Sequence, residues 1–164
     1  MRALALPLAL LAAACATTPA PQAAAPHHPE ARLFEEGRDG QADVDAALAR
    51  AAAEDKRVLL VMGANWCHDS RAFAGWMEEP RFAPLLERHY VPVYVNMGMP
   101  QTGDGHNLDV ARRFGVETVE GTPTVLVLTA EGVPVNLETA GTWRNTASRS
   151  KEAIHAELTE LATR

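Results

Sequence analysis

Val58-Leu59-Leu60-Val61-Met62-Gly63-Ala64-Asn65-Trp66-Cys67-His68-Asp69-Ser70-Arg71 is the stretch that decides the fold. Its first five residues are an unbroken apolar run bounded by Gly63. Such a run suits a strand buried on both faces, where an alternating pattern would suit one open to water. After the polar block, Ala72, Phe73, Trp76 and Met77 recur at helical spacing until Pro80 stops the helix. The stretch therefore reads strand, turn, helix, with a cysteine at the turn.

Outward from it, the same period-counting predicts the remaining elements. A helix runs from an Asp43 cap to about Glu54, with Val44, Leu48 and Ala51 on one face. A short helix covers Arg81 to His89, and Val91-Pro92-Val93-Tyr94-Val95 is a second strand. Met97 to His106 is a polar, glycine-containing loop. Asn107 starts a helix carrying Leu108, Ala111 and Phe114, which Gly115 ends. Thr124 to Leu128 is a third strand, and Glu131-Gly132 turns the chain back into Val133 to Leu137. Ser148 or Ser150 caps a last helix with Ile154, Leu158 and Leu161 on its apolar face. The order α-β-α-α-β-α-β-β-α implies an α/β domain with a central four-stranded mixed sheet, helices on both faces, an antiparallel edge and a helix ahead of the first strand. Phe73, Trp76, Phe82 and Phe114 read as core. The stretch Trp143 to Arg149 has no functional reading.

A buried strand running into Trp66-Cys67, with the cysteine opening a helix, resembles the thioredoxin superfamily. Gly121-Thr122-Pro123-Thr124, about 55 positions downstream, resembles that family's cis-proline loop, and the closing hairpin and helix extend the likeness over residues 42–164. The pattern is similar to exported bacterial thioredoxin-like proteins with an Asn-Trp-Cys-His-Asp-Cys site. Two departures bear on function. Ser70 stands where the family has its second cysteine. Val61, six residues before Cys67, stands where it has a buried acid thought to help deprotonate that second cysteine. The resemblance implies catalytic positions at Cys67 and Ser70, and substrate-contacting positions at Trp66, His68, Asp69, Thr122 and Pro123.

The chemistry also follows from the residues. A thiolate is the species that attacks a disulfide. Free backbone N–H groups and the macrodipole at a helix N-terminus stabilise that anion. A protonated His68 adds to this, and Asp69 opposes it. Ser70, one turn on, shares a helix face with Cys67 and is placed to donate a hydrogen bond to the sulfur. A cis Pro123 would expose the Thr122 backbone to an extended substrate strand. What the pattern lacks is an internal thiol to release the product.

The N-terminal segment reads as address and tether. Residues 1 to 29 carry one charge, Arg2. Met1-Arg2, the apolar Ala3 to Leu11 and the small Ala12-Ala13-Ala14 make residues 1–15 a secretory signal peptide. Leu11 to Cys15 resembles a bacterial lipobox, in which Cys15 is lipidated, although Ala12 departs from the usual leucine. Ala14-Cys15-Ala16 equally suits an ordinary signal peptidase, which would release a soluble protein. Residues 16–41 read as a Pro/Ala-rich tether, extended at ~3 Å per residue. The expected location is the periplasm or cell envelope, with or without a lipid anchor.

The 164 residues carry a formal charge of −6 with no Lys/Arg cluster, which disfavours nucleic acid as a partner. No 18-residue apolar run occurs, so no spanning helix is expected. The chain has two cysteines, and with Cys15 removed or lipidated, Cys67 is a lone thiol in an oxidising compartment. No cofactor is expected. Metal binding by Cys67 with His68 or His106 is disfavoured, because one soft ligand lacks spaced partners. His27 and His28 sit in the tether with no third ligand near in sequence. Two functions remain. One is monothiol thiol–disulfide exchange through Cys67, with disulfide-containing proteins or small thiols as partners. The other is a redox-inert thioredoxin-fold binding module that uses the proline-loop groove.

Overall fold

The computed structural model describes residues 28–164; the expected signal peptide of residues 1–15, with Cys15, and the expected tether as far as residue 27 lie outside the described residues. Helix α1 (Gly40–Glu54) leads into strand β1 (Arg57–Gly63), then α2 (His68–Met77), α3 (Ala83–His89) and β2 (Tyr90–Asn96). A small ribbon of β3 (Gly98–Met99) and β4 (Asp104–Gly105) precedes α4 (Leu108–Arg113) and β5 (Thr124–Leu128). A 3-10 segment (Leu137–Ser148) and α5 (Lys151–Leu161) complete the chain.

The main sheet has the order β2-β1-β5, so the decisive strand lies at its centre. β1 runs parallel to β2, from Arg57↔Tyr90 to Gly63↔Asn96, and antiparallel to β5, from Val58↔Leu128 to Met62↔Thr124. Leu59 and Val61 face one core layer with Phe73, Trp76, Phe82, Trp143 and Ile154, while Val58, Leu60 and Met62 face another with Val44, Val95, Val110 and Phe114. An unbroken apolar run is what a strand covered on both faces requires.

Three expectations are revised. The sheet has three strands, because the segment after Gly132 pairs with β5 only through the bridge Leu128↔Pro134. That bridge is held by Thr129 N donating to Val133 O and Val135 N donating to Val127 O, both at 2.9 Å. The buried Asn136 side chain instead pairs with the β5 backbone, accepting from Val127 N at 2.8 Å and donating to Val125 O at 3.0 Å. Second, α1 is capped by Asp39, whose carboxylate accepts from Gln41 N and Ala42 N; Asp43 lies in the first turn and pairs with Arg38 at 2.7 Å. Third, the chain packs on the domain well before residue 42. Ala31 and Phe34 are buried, Phe34 completely, and Asn65 clamps Phe34 by bonds to its N–H (3.2 Å) and carbonyl (2.8 Å). Proline content concealed this, because Leu33 and Phe34 supply the burial.

The Met97–His106 loop contains the β3–β4 ribbon. The 3-10 segment packs on α2, with Trp143 edge-on to Phe73 at 5.3 Å between ring centres. Ser150 caps α5, accepting from Ala153 N.

Candidate functional site

The site forms where β1 ends and α2 begins. Cys67 is the N-cap of α2 in extended conformation, at the helix end where the first-turn N–H groups lack intrahelical partners, and its side chain makes no capping bond to them. Cys67 is free, 9% exposed, and its thiol donates to the carbonyl of Thr122 at 3.0 Å. The Thr122–Pro123 peptide is cis. The two sequence marks therefore meet in space, at one end of the sheet.

The flanking residues divide by role. Trp66 is 51% exposed, and its indole N–H donates to Gly98 O at 2.8 Å, which ties the ribbon to the rim of the site. His68 opens α2 and faces solvent. Asp69 turns away from the groove, accepting from Ala147 N at 2.8 Å and pinning the 3-10 segment to α2. Thr122 is buried, and its hydroxyl has no partner among the described residues. A cleft of about 360 Å³ lies beside the proline loop, with Gly121 and Thr124 in its wall and Glu120 and Arg144 paired at its edge.

Ser70 departs from expectation. It is fully buried, and its hydroxyl has no partner among the described residues, so the expected bond to the sulfur does not form. The hydroxyl lies against Gly63 beside the Phe34 ring: a Cβ at Gly63 would stand 2.8 Å from Ser70 Oγ and 2.5 Å from Phe34 Cε1. One helical turn brings residues onto a shared face but leaves the hydroxyl free to turn into the core. Val61, at the position of the resemblance's buried acid, is fully buried in the same layer as Phe34.

Other residues of the site were missed in the sequence. Arg71 donates to the carbonyls of Asn65 (3.1 Å) and Trp66 (2.9 Å), holding the loop that carries Cys67, and to Glu30 Oε2 at 2.8 Å. That guanidinium holds the Glu30 carboxyl below its ordinary range. Glu30 and His28 arrive from the segment read as tether, and with His68 they bring three possible ligand atoms within 4.8 Å of one another. In sequence, His28 has no third ligand near it, and His68 lies next to Cys67. The actual grouping spans 40 positions and excludes Cys67, so no local spacing marked it.

A cysteine capping a helix opposite a cis-proline loop, at the end of a sheet covered on both faces, defines a thioredoxin-type site. The comparisons with known proteins agree: the chain belongs to the Thioredoxin-like family, whose pattern matches residues 39–130. It is similar in structure to a disulphide isomerase from Xylella fastidiosa Temecula1, with a TM-score of 0.71 and 27% identity, over 80% of this chain and 97% of that one. It also shares the fold of a thioredoxin from Thermus thermophilus, with a TM-score of 0.51 and 24% identity, over 71% of this chain and 82% of that one. No curated protein matches the sequence.

Proposed function

We propose that the chain is a monothiol thiol–disulfide exchanger of the cell envelope, acting through Cys67. The observation that carries this reading is the contact of Cys67 with Thr122 O on the proline loop, with Ser70 one turn along in place of a second thiol. The similarity to a disulphide isomerase supports it.

In the first step the Cys67 proton leaves to solvent and the thiolate attacks one sulfur of a substrate disulfide. A Cys67–substrate disulfide forms, and the substrate's other sulfur departs as thiolate. Ser70 carries no thiol and cannot form a disulfide with Cys67, so the enzyme cannot take up the disulfide itself. A substrate thiolate or a small external thiol attacks the mixed disulfide and restores Cys67. With a substrate thiol the net result is isomerisation; with an external thiol it is transfer of a cap. The Thr122 backbone and the exposed Trp66 ring hold the substrate segment, and His68 lies at the open side. The leader-like composition of residues 1–15 supports the envelope as the setting of this activity, with Cys15 as a lipid anchor or as part of a removed signal.

A single-thiol protein tests this. In a Cys15→Ser background, native protein is mixed with glutathione disulfide and followed by intact mass. One adduct per chain that Cys67→Ser abolishes and excess thiol reverses is expected. No adduct on native protein, with ready adduct formation in urea, would overturn the reading.

That second outcome would favour a redox-inert binding module. The observation on its side is that the Cys67 thiol is 9% exposed and engaged with a carbonyl, while the cleft beside the proline loop is open.

A further inference from the structure

We propose that His28, Glu30 and His68 form a binding site for a divalent transition-metal cation, of the Zn²⁺ or Cu²⁺ type. Neither the thiol chemistry nor the family membership calls for such a site, and it stands or falls independently of the exchange reading.

The donor atoms already face one another. His28 Nε2 lies 2.9 Å from His68 Nε2, and His68 Nε2 lies 3.4 Å from Glu30 Oε1. Two imidazole nitrogens on a tetrahedral zinc, each ~2.0–2.1 Å from it, stand about 3.3 Å apart. These two edges are already within a few tenths of an ångström of that spacing, and all three donor atoms lie within 4.8 Å of one another.

The surroundings of His28 fit this role as well. His28 Nδ1 faces the carbonyl of Pro29 at 3.3 Å. A carbonyl can only accept, so the tautomer that satisfies this contact donates from Nδ1 and offers a lone pair at Nε2. That lone pair points at a second Nε2, an arrangement satisfied by a proton between the rings or by a cation shared between them. Ligating histidines commonly donate their other N–H to a carbonyl in this way.

Glu30 is held for the same task. Arg71 Nε takes Oε2 at 2.8 Å and leaves Oε1 toward His68. The carboxylate is thus oriented by an outer partner and remains charged.

The two segments are also joined without the cation. Ala31 N donates to Arg71 O at 3.0 Å. The main chain of Pro29 and Glu30 crosses α2 at Gly75 so closely that a Cβ there would stand 2.5 Å from Pro29 C and 2.6 Å from Glu30 N. The site is therefore organised before a cation arrives, which lowers the cost of binding.

Imidazole and carboxylate donors suit zinc and copper, and two histidines with one glutamate leave a fourth position for water or another ligand. His68 is the most open member, with 57% of its side chain exposed, so that position faces solvent. Cys67 is no ligand here, since its thiol is directed to Thr122 O.

The test is calorimetric titration of zinc chloride, and separately copper(II) chloride, into the untagged full chain carrying Cys15→Ser. One equivalent binding in the micromolar range is expected. His28→Ala, His68→Ala and Glu30→Gln should each weaken it by about tenfold or more. His106→Ala and Cys67→Ser should leave it unchanged. Nitrogen hyperfine structure from two imidazoles in the copper(II) spin-resonance spectrum, reduced to one in His68→Ala, provides a second readout. All three ligand side chains reach solvent, so circular dichroism of the variants should match the parent. Absence of saturable binding at millimolar metal, affinity that survives His68→Ala, or affinity lost in Cys67→Ser or His106→Ala would each overturn the proposal.

Discussion

Ser70 stands one turn after Cys67 on α2, yet its hydroxyl makes no bond to the Cys67 sulfur; it is sealed in the core without a partner. The thiol meanwhile turns the other way, to the carbonyl of Thr122. A buried hydroxyl without a partner costs about 1–3 kcal/mol of desolvation. Nothing in the packing recovers that cost, and alanine is the better helix former. Ser70→Ala is therefore expected to raise stability by about 1 kcal/mol, read as a higher urea midpoint at unchanged slope. A lower midpoint would show that the hydroxyl has a partner after all.

Phe34 extends the domain upstream of α1. Its ring is fully buried, packs edge-on to Tyr94 at 5.6 Å, and fills the space that Gly63 leaves open. Phe34→Ala should cost about 3–4 kcal/mol, the usual range for an aromatic lost from a closed core. Removal of residues 1–39 should cost at least as much. A truncated protein with an unchanged thermal midpoint would return this segment to the role of tether.

The sequence displayed the centre of this fold and hid its margins, for a physical reason. β1 is apolar on both faces and α2 has a helical repeat, so both are visible in the local pattern. Cys67 and Pro123 were legible because their meeting is a property of the fold that the resemblance carries. The fourth strand stops after the single bridge at Pro134, because at Asn136 a side chain does the work of a backbone ladder and leaves no period-2 signal. Arg71, Glu30 and His28 act through contacts between distant segments, and a charged residue beside a proline-rich stretch looks solvated from sequence alone. The signal available was Leu33-Phe34, two large apolar residues in a segment with no other reason to carry them.

Asn136 can be tested as a substitute for strand pairing. Its amide satisfies Val127 N and Val125 O together, on the side of β5 away from β1. Asn136→Ala leaves both buried groups without a partner, at about 1–3 kcal/mol each. A loss of at least 2 kcal/mol is expected, with faster amide exchange at Val127 than at the β1-paired positions. Unchanged exchange at Val127 would mean that water or main chain replaces the amide.

Gly75 sets how closely residues 29–30 approach α2. Alanine favours a helix by about 1 kcal/mol over glycine, so an open site would gain stability. Here the new Cβ would meet main-chain atoms of Pro29 and Glu30 at 2.5–2.6 Å, and backbone cannot rotate aside as a flexible side chain can. Overpacking of this kind costs about 1–3 kcal/mol. Gly75→Ala should therefore lower stability slightly and release the segment, seen as faster tryptic cleavage after Arg32 and Arg38. Slower cleavage would contradict the close crossing.

The chain has two tyrosines, Tyr90 and Tyr94, and burial pushes both phenols above their ordinary range. Tyr90 is 1% exposed and donates to Leu158 O at 2.6 Å, and Tyr94 rests against Phe34 with the negative charge of Glu78 adding to the upward push. Folding therefore favours the neutral phenol. The stability this contributes is full below about pH 10, where the unfolded chain also holds its protons. It is lost as pH rises above that value, because the unfolded ensemble ionises first. Tyrosinate absorbance at 295 nm, followed with far-ultraviolet circular dichroism, should stay flat through about pH 10 and then rise together with loss of helix. A smooth tyrosinate transition centred near pH 10 in protein that keeps its helix would show that these rings are open to solvent, and that the core layer joining Phe34, Tyr94 and α5 is looser than the structure has it.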